Sequence, residues 1–301
     1  MKIIISGLGR MGMQIVQKLQ EGGHEVIAHN RSPEKVKEAA QYGAIPAYTI
    51  DEAVASCNDE PAVVWLMVPA DVIDNVLTDW LSRMPADSII IDGGNSDYRK
   101  DAERAARVHE AGCSLLDIGT SGGVHGYTRG FCMMVGGDEA AYERIIPVLD
   151  TLAAPGGIHN HFGTNGAGHY VKMVHNAIEY GMMQSLAEGY RMLKVGPIGD
   201  IDLAKAGETW QHSSVITSWL NELSAEALNE SPELDEIAGV VAESGEARWT
   251  LETADEIGIS LPAIQAAFDV RLRSQAGEVD FSTKLLAAMR NKFGGHDLQG
   301  R

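Results

Sequence analysis

Lys172, His175, Asn176 and Glu179 stand at i, i+3, i+4 and i+7, the spacing that puts four side chains on one face of an α-helix. An amine and a carboxylate so placed are most often a surface ion pair, here with a bystander histidine. Out of water the same pair can do proton chemistry. Desolvation disfavours the ammonium form, so a buried lysine can take a proton that a carboxylic acid elsewhere returns. On the other side of the helix Val171, Val174 and Ile178 are apolar, which predicts a buried flank behind the polar stripe.

A second chemical signal lies at Gly7-Leu8-Gly9-Arg10-Met11-Gly12, directly after the apolar run Ile3 to Ile5. Glycines at these three places allow a tight turn, close approach of backbone to a pyrophosphate, and close packing of the next helix on the sheet. The motif alone is weak, but a strand before it and a helical segment after it point to a dinucleotide. The second strand ends in Asn30-Arg31-Ser32, where an acidic residue would normally bond the adenosine ribose. An acid would repel a 2′-phosphate, whereas an amide, a planar cation and a hydroxyl suit one. NADP is therefore the expected coenzyme. NAD stays open, because Arg31 could equally stack on the adenine. Val68-Pro69-Ala70 and Asp92-Gly93-Gly94-Asn95-Ser96 end later apolar runs and are expected on the nicotinamide side, with Asn95 close to both coenzyme and substrate.

The elements that must position these residues follow from the apolar runs. Ile3–Ile5, Glu25–Ala28, Val63–Val68, Ser88–Ile91 and Ser114–Asp117 alternate with helix-length segments, which implies an α/β fold built on a doubly wound parallel Rossmann sheet. Phe131 to Val135 adds a strand. After about residue 163 only helical periodicity is left, as in Val171–Lys194 and Leu261–Arg273. We expect a coenzyme-binding domain over 1–163, an all-helical substrate and oligomerisation domain over 164–301, and a linker within 153–168. The net charge of −18 excludes nucleic acid and anionic membranes as partners, so an anionic ligand needs local cations. Three scattered cysteines suggest neither disulfides nor a metal site. With no leader pattern and no membrane-length apolar run, a cytoplasmic protein is expected.

Taken together, these segments resemble the 6-phosphogluconate dehydrogenases, in the short form whose helical domain is reduced. The resemblance runs through Gly7–Gly12, Asn30–Ser32, Gly93–Ser96, Ser121-Gly122-Gly123, the helix from Lys172 to Gly181, and Phe293-Gly294-Gly295-His296, and so covers nearly the whole chain. It implies Lys172 as general base and Glu179 as general acid. It further implies substrate contacts from Asn95, Ser121, Gly122, Gly123, His175, Asn176 and Tyr180, and from Arg271, Arg290 and His296 around a phosphate. In the family a C-terminal tail reaches a neighbouring subunit. Arg290 and His296, which have no obvious local partner in the sequence, would thus complete the shared active site of a homodimer or homotetramer. One departure stands out: Ser244 occupies the place of a substrate-contacting lysine of longer members, which leaves a contact missing or supplied by Arg248.

The implied chemistry is coherent without a metal. A base removes the C3 hydroxyl proton of 6-phosphogluconate as hydride leaves C3, the resulting β-keto acid loses carbon dioxide, and an acid protonates C1 of the enediol to give ribulose 5-phosphate. Two rivals stand beside this reading. A β-hydroxyacid dehydrogenase acting on 3-hydroxyisobutyrate or glyoxylate would share the Rossmann half and the lysine without needing His175 and Glu179. A non-catalytic dinucleotide sensor would need neither Lys172 nor Glu179.

Overall fold

The computed structural model describes residues 1–58 and 60–298. The chain divides into two compact units, Met1–Met173 and Val174–Arg301. In the first, the order is β1 (Lys2–Ser6), α1 (Arg10–Glu21), β2 (Glu25–His29), α2 (Pro33–Ala40), β3 (Ile45–Ala47), α3 (Ile50–Ala55), β4 (Val63–Leu66), α4 (Ile73–Leu81), β5 (Ile89–Asp92), α5 (Asp101–Glu110), β6 (Ser114–Ser121), α6 (Gly126–Arg129), β7 (Cys132–Gly137), α7 (Glu139–Ala153) and β8 (His159–His161).

The eight strands form one sheet in the order β3-β2-β1-β4-β5-β6-β7-β8. Successive side chains of a strand point to opposite faces, and the sequence uses this directly. Ile3, Ile5, Trp65, Ile89 and Ile91 enter the core under α1 and α7, whereas Ile4, Ile27, Val64, Leu66 and Ile90 enter the one under α4 and α5. Unbroken apolar runs therefore feed two cores at once. The strand order reverses between β1 and β4, and a doubly wound sheet binds its ligands beyond the carboxyl ends of the strands at that point.

The sheet departs from the expected one in three places. β7 runs antiparallel to β6, because the short segment from Ser121 to Cys132 cannot carry the longer crossover that a parallel return needs. β8 pairs with β7 inside the segment expected to be only a linker. β3 is a three-residue edge strand whose Pro46 hides it from a strand reading.

α8 (Ala167–Val195) begins in the first unit and continues into the second. There it is joined by α9 (Leu203–Gln211), α10 (Trp219–Glu230), α11 (Glu246–Glu256), α12 (Pro262–Gln275) and α13 (Phe281–Gly294). Met183, Ala187, Tyr190, Leu220, Leu228, Leu285 and Met289 form the main core of this unit. Asp280 caps α13 in a reciprocal capping box with Thr283.

Candidate active site

The glycine loop has the shape its sequence predicts. Gly7 holds φ +103°, and a Cβ there would collide with the Met67 carbonyl, so β1 and the turn after β4 meet closely. A Cβ on Gly12 would strike the Gly7 carbonyl, while nothing stands within 4 Å of the corresponding position on Gly9. The backbone before α1 is therefore open on its outer side, as a pyrophosphate at a helix N-terminus requires. The Leu8 side chain is in the core and its N–H donates to Asn30 Oδ1 at 3.0 Å, which ties the loop to the end of β2. Arg10 and Arg31 are exposed, Met11 is half-buried, and Asn30 Nδ2 lies 3.4 Å from the Ser32 carbonyl. Val68-Pro69-Ala70 and the Asn95 loop are neighbours: a Cβ on Gly94 would sit 2.7 Å from the Val68 carbonyl.

The first turns of α8 lie directly on the sheet. A Cβ on Gly119 of β6 would collide with the Lys172 Cβ and stand 2.8 Å from its Cγ, so only glycine leaves room for that stem. Lys172 is 7% exposed. Ser121 follows Gly119 on the same face of β6 and pairs with Cys132, whose thiol is pushed up by burial and drawn back by Lys172. The lysine thus reaches the strand from which the Ser121-Gly122-Gly123 loop departs. Gly122 and Gly123 both hold positive φ, at +134° and +52°, which a side chain would resist.

Beneath this turn lies a buried polar network that the motifs do not announce. His169 Nδ1 is 2.7 Å from Asp101 Oδ2, and Arg104 donates to Asp101 Oδ1 at 3.0 Å and to Asp74 Oδ1 at 2.8 Å. Arg104 also stands 3.8 Å from Asp92, which accepts from Ser96 Oγ at 2.7 Å and from Gly94 N–H at 3.1 Å. Asp117 accepts from the N–H groups of Gly166 and His169. Burial opposes the His169 charge, but the bond it donates to Asp101 and the fields of Asp92, Asp101 and Asp117 outweigh it and raise its pKa to about 9. A sequence signal existed in the aspartates that close the apolar runs of β5 and β6.

In the second unit the polar stripe continues, with its buried side opposite to expectation. Met173, Ala177 and Tyr180 are the buried neighbours on α8, whereas Val171 and Val174 are half-buried and Ile178 is 52% exposed. Helical spacing defines the stripe, but either flank of it could have packed. Glu179 is half-buried. His175 Nδ1 lies 2.9 Å from Asn176 Oδ1, and Asn176 Nδ2 donates to Glu246 Oε1 at 2.8 Å. Glu246, 2% exposed, escaped the sequence reading because an acidic residue in the first turn of a helix normally marks only the helix dipole.

Arg271 and Arg290 are 2% and 8% exposed. The Arg271 guanidinium stacks 3.2 Å from the centroid of the Tyr180 ring. Burial draws Arg271 down to about 10, with the charge of Arg290 adding to the effect, and burial also lowers Arg290 against the pull of Tyr180, Glu179 and Glu246. Tyr180 thus bears on both arginines within their own unit, on Arg271 by direct stacking and on Arg290 through its field, to which Glu179 and Glu246 add. The tail is accounted for locally too. Asn291 donates to the His296 carbonyl at 2.7 Å, the His296 ring meets Phe293 edge-on, and Ala238 N–H donates to the Leu298 carbonyl. Ser244 N–H lies 3.4 Å from the Tyr180 hydroxyl, and Arg248 is engaged by Glu243 at 2.8 Å and by the Phe268 ring.

A Rossmann sheet, a glycine loop fit for a dinucleotide and a buried lysine at the start of a long helix define a nicotinamide-dependent dehydrogenase. Residues 2–166 match the NAD-binding domain of 6-phosphogluconate dehydrogenase, and residues 168–285 match that family's C-terminal domain. The chain is 39% identical over 300 residues to the NAD(+)-dependent, decarboxylating 6-phosphogluconate dehydrogenase of Haloferax volcanii, covering 99% of this chain and 98% of that one. It superposes on Plasmodium falciparum 6-phosphogluconate dehydrogenase, a structure described in apo form and with NADP+ and 6-phosphogluconate, with TM-score 0.84 at 27% identity, covering 99% of this chain and 66% of that one. The 3-hydroxyisobutyrate dehydrogenase of Mycobacterium tuberculosis, at 23% identity and TM-score 0.73 over 94% of this chain and 97% of that one, shares the fold. The chain belongs to the 6-phosphogluconate dehydrogenase family.

Proposed function

We propose that the protein oxidises and decarboxylates 6-phosphogluconate to ribulose 5-phosphate and carbon dioxide, with NADP as coenzyme and NAD as an alternative. The observation that carries this reading is Lys172, buried over Gly119, with Glu179 two turns further along the same face of α8. Bound nicotinamide supplies the hydride acceptor. Lys172 takes the C3 hydroxyl proton, while Asn95, the Ser121-Gly122-Gly123 loop, His175 and Asn176 orient the hydroxyl and carboxylate groups. After loss of carbon dioxide, Glu179 delivers the proton to C1. Two neighbouring buried guanidiniums repel each other, and a phosphate set against Arg271 and Arg290 would offset that cost. A hydroxyacid without phosphate gains nothing from this pair, which favours the present reading over a 3-hydroxyisobutyrate or glyoxylate enzyme.

Incubation with 6-phosphogluconate and NADP should release carbon dioxide and reduced coenzyme in equal amounts. Oxidation of 3-hydroxyisobutyrate with none of 6-phosphogluconate would establish the rival, and dinucleotide binding without turnover of either would establish a sensor. Glu179→Gln should lower kcat by about 100-fold, because an amide cannot return the proton; a wild-type rate in that variant would remove Glu179 from the reaction.

Coenzyme choice can be tested at β2. Asn30→Asp keeps an acceptor for Leu8 N–H, so the loop should hold its shape while the new charge repels a 2′-phosphate by about 1 to 3 kcal/mol. KM for NADP should rise and that for NAD should not, and Arg31→Ala should weaken NADP selectively. A wild-type protein that already prefers NAD strongly would overturn the reading.

The chain is proposed to act as a homodimer or homotetramer. Ile178 and Met182 are exposed on α8 beside Glu179, so a second copy seated there would border the substrate and share in the site; light scattering checks the association. All three cysteines are free, in keeping with the reducing cytoplasm where we place the enzyme, and among the described residues no helix is long and apolar enough to cross a membrane.

A further inference from the structure

We propose that His169 is a positioning residue for this reaction: through Asp101, Arg104 and Asp92 it ties the turn of α8 that carries Lys172 to the Asn95 loop, so that base and loop are set as one piece.

The connection is continuous in hydrogen bonds and ion pairs. It starts at His169, one turn before Lys172, passes to Asp101 and Arg104 on α5, and reaches Asp92 at the end of β5. Asp92 then holds Ser96 Oγ and Gly94 N–H on either side of Asn95. On the β6 side Asp117 grips the same turn through the Gly166 and His169 N–H groups.

A plain structural purpose for so much buried charge is weak, since ion pairs in a core gain little over apolar packing. What the network supplies is direction. Its bonds fix the rotation of α8 about its axis, and the collision awaiting any Cβ on Gly119 shows how little slack Lys172 has. Asp92, Asp101 and His169 also lie close enough together to suggest a cation site. Arg104 already places its charge against both carboxylates, however, and a metal would have to displace it.

The groups facing His169 are Asp101 and Arg104 from α5, Asp92 from β5 and Asp117 from β6. Three carboxylates outnumber Arg104 there and raise the His169 pKa, although burial lifts Asp117 as well and leaves His169 Nε2 without a hydrogen-bond partner. Its contribution is complete below the ordinary histidine pKa of 6.5 and is lost as pH rises through about 9.

This inference rests on the 6-phosphogluconate reading for its kinetics, so the test has an arm that needs no turnover. His169→Gln, Asp101→Asn and Ser96→Ala are compared with wild type and with Tyr190→Phe, which removes a buried bond to Asn221 in the core of the second unit. In the NADP-loaded protein the three network variants should exchange the Gly94 and Gly166 amide hydrogens faster than wild type, and Tyr190→Phe should not. With 6-phosphogluconate their kcat should fall by about 100-fold, the scale of a misplaced catalytic group, while the Kd for NADP stays close to that of the control. The double variant His169→Gln with Ser96→Ala should be no worse than its poorer parent, because each breaks the same connection. Wild-type kcat should decline near pH 9, and the decline should be absent from the low profile of His169→Gln.

Unchanged exchange at Gly94 in His169→Gln, or kcat losses no larger than in Tyr190→Phe, would overturn the proposal. If His169→Gln does not fold, Asp101→Asn decides in its place, since it alters the same bond from the α5 side. If wild type does not turn over 6-phosphogluconate, the functional reading fails, and the exchange arm still decides the positioning claim.

Discussion

Lys172→Met is expected to lower kcat for 6-phosphogluconate by about 100- to 10,000-fold, the range that a positioned base contributes, and to leave coenzyme affinity nearly unchanged. The side chain of methionine follows much the same path over Gly119, so the contact between α8 and β6 survives and only the nitrogen is lost. The glycine loop, Asn30 and the Val68 turn stand apart from Lys172 on other strands, which is why NADP binding should persist. The measurement is paired: fluorescence titration of the variant with NADPH, and single-turnover formation of reduced coenzyme from 6-phosphogluconate. A variant that keeps its turnover, or one that loses NADP binding together with it, would remove Lys172 from the role of base.

Gly119→Ala should nearly match that loss without touching a functional group. The added Cβ would fall on the Lys172 Cβ and within 3.1 Å of the Gly168 carbonyl, and neither is the free end of a flexible chain. The first turns of α8 must then lift from β6 and carry the Lys172 side chain away from that strand. Overpacking of this kind costs about 1 to 3 kcal/mol of stability. Misplacement of a reacting group costs on the order of 100-fold in rate. Tm should fall modestly while kcat collapses and NADP affinity holds. Wild-type kcat in Gly119→Ala would show that Lys172 has more freedom than its packing implies.

The parts of this protein legible in its sequence are those in which function follows chain periodicity. The G-x-G-x-x-G loop is a local backbone shape set by three glycines, and the stripe Lys172, His175, Asn176, Glu179 is a fact of helical spacing. Illegible parts depended on what lies across the fold. The buried flank of α8 is one of these, because Val171, Val174 and Ile178 are as apolar as Met173 and Ala177, and only packing selects between them. The surroundings of Arg290 are equally invisible in the sequence, since Tyr180, Glu179 and Glu246, whose charges act on it, belong to other helices.

By itself, therefore, the sequence determined the doubly wound sheet, the dinucleotide loop and the placing of a lysine and a glutamate on one face of a helix, since unbroken apolar runs, glycine conformations and a period of 3.6 residues are local properties. Tertiary structure alone decided that β7 turns antiparallel, that Glu246 joins Asn176, and that Asp92, Asp101, Arg104, Asp117 and His169 converge beneath Lys172. Buried charge is tolerated only where partners from several elements meet, and a linear pattern records neither the meeting nor the partners.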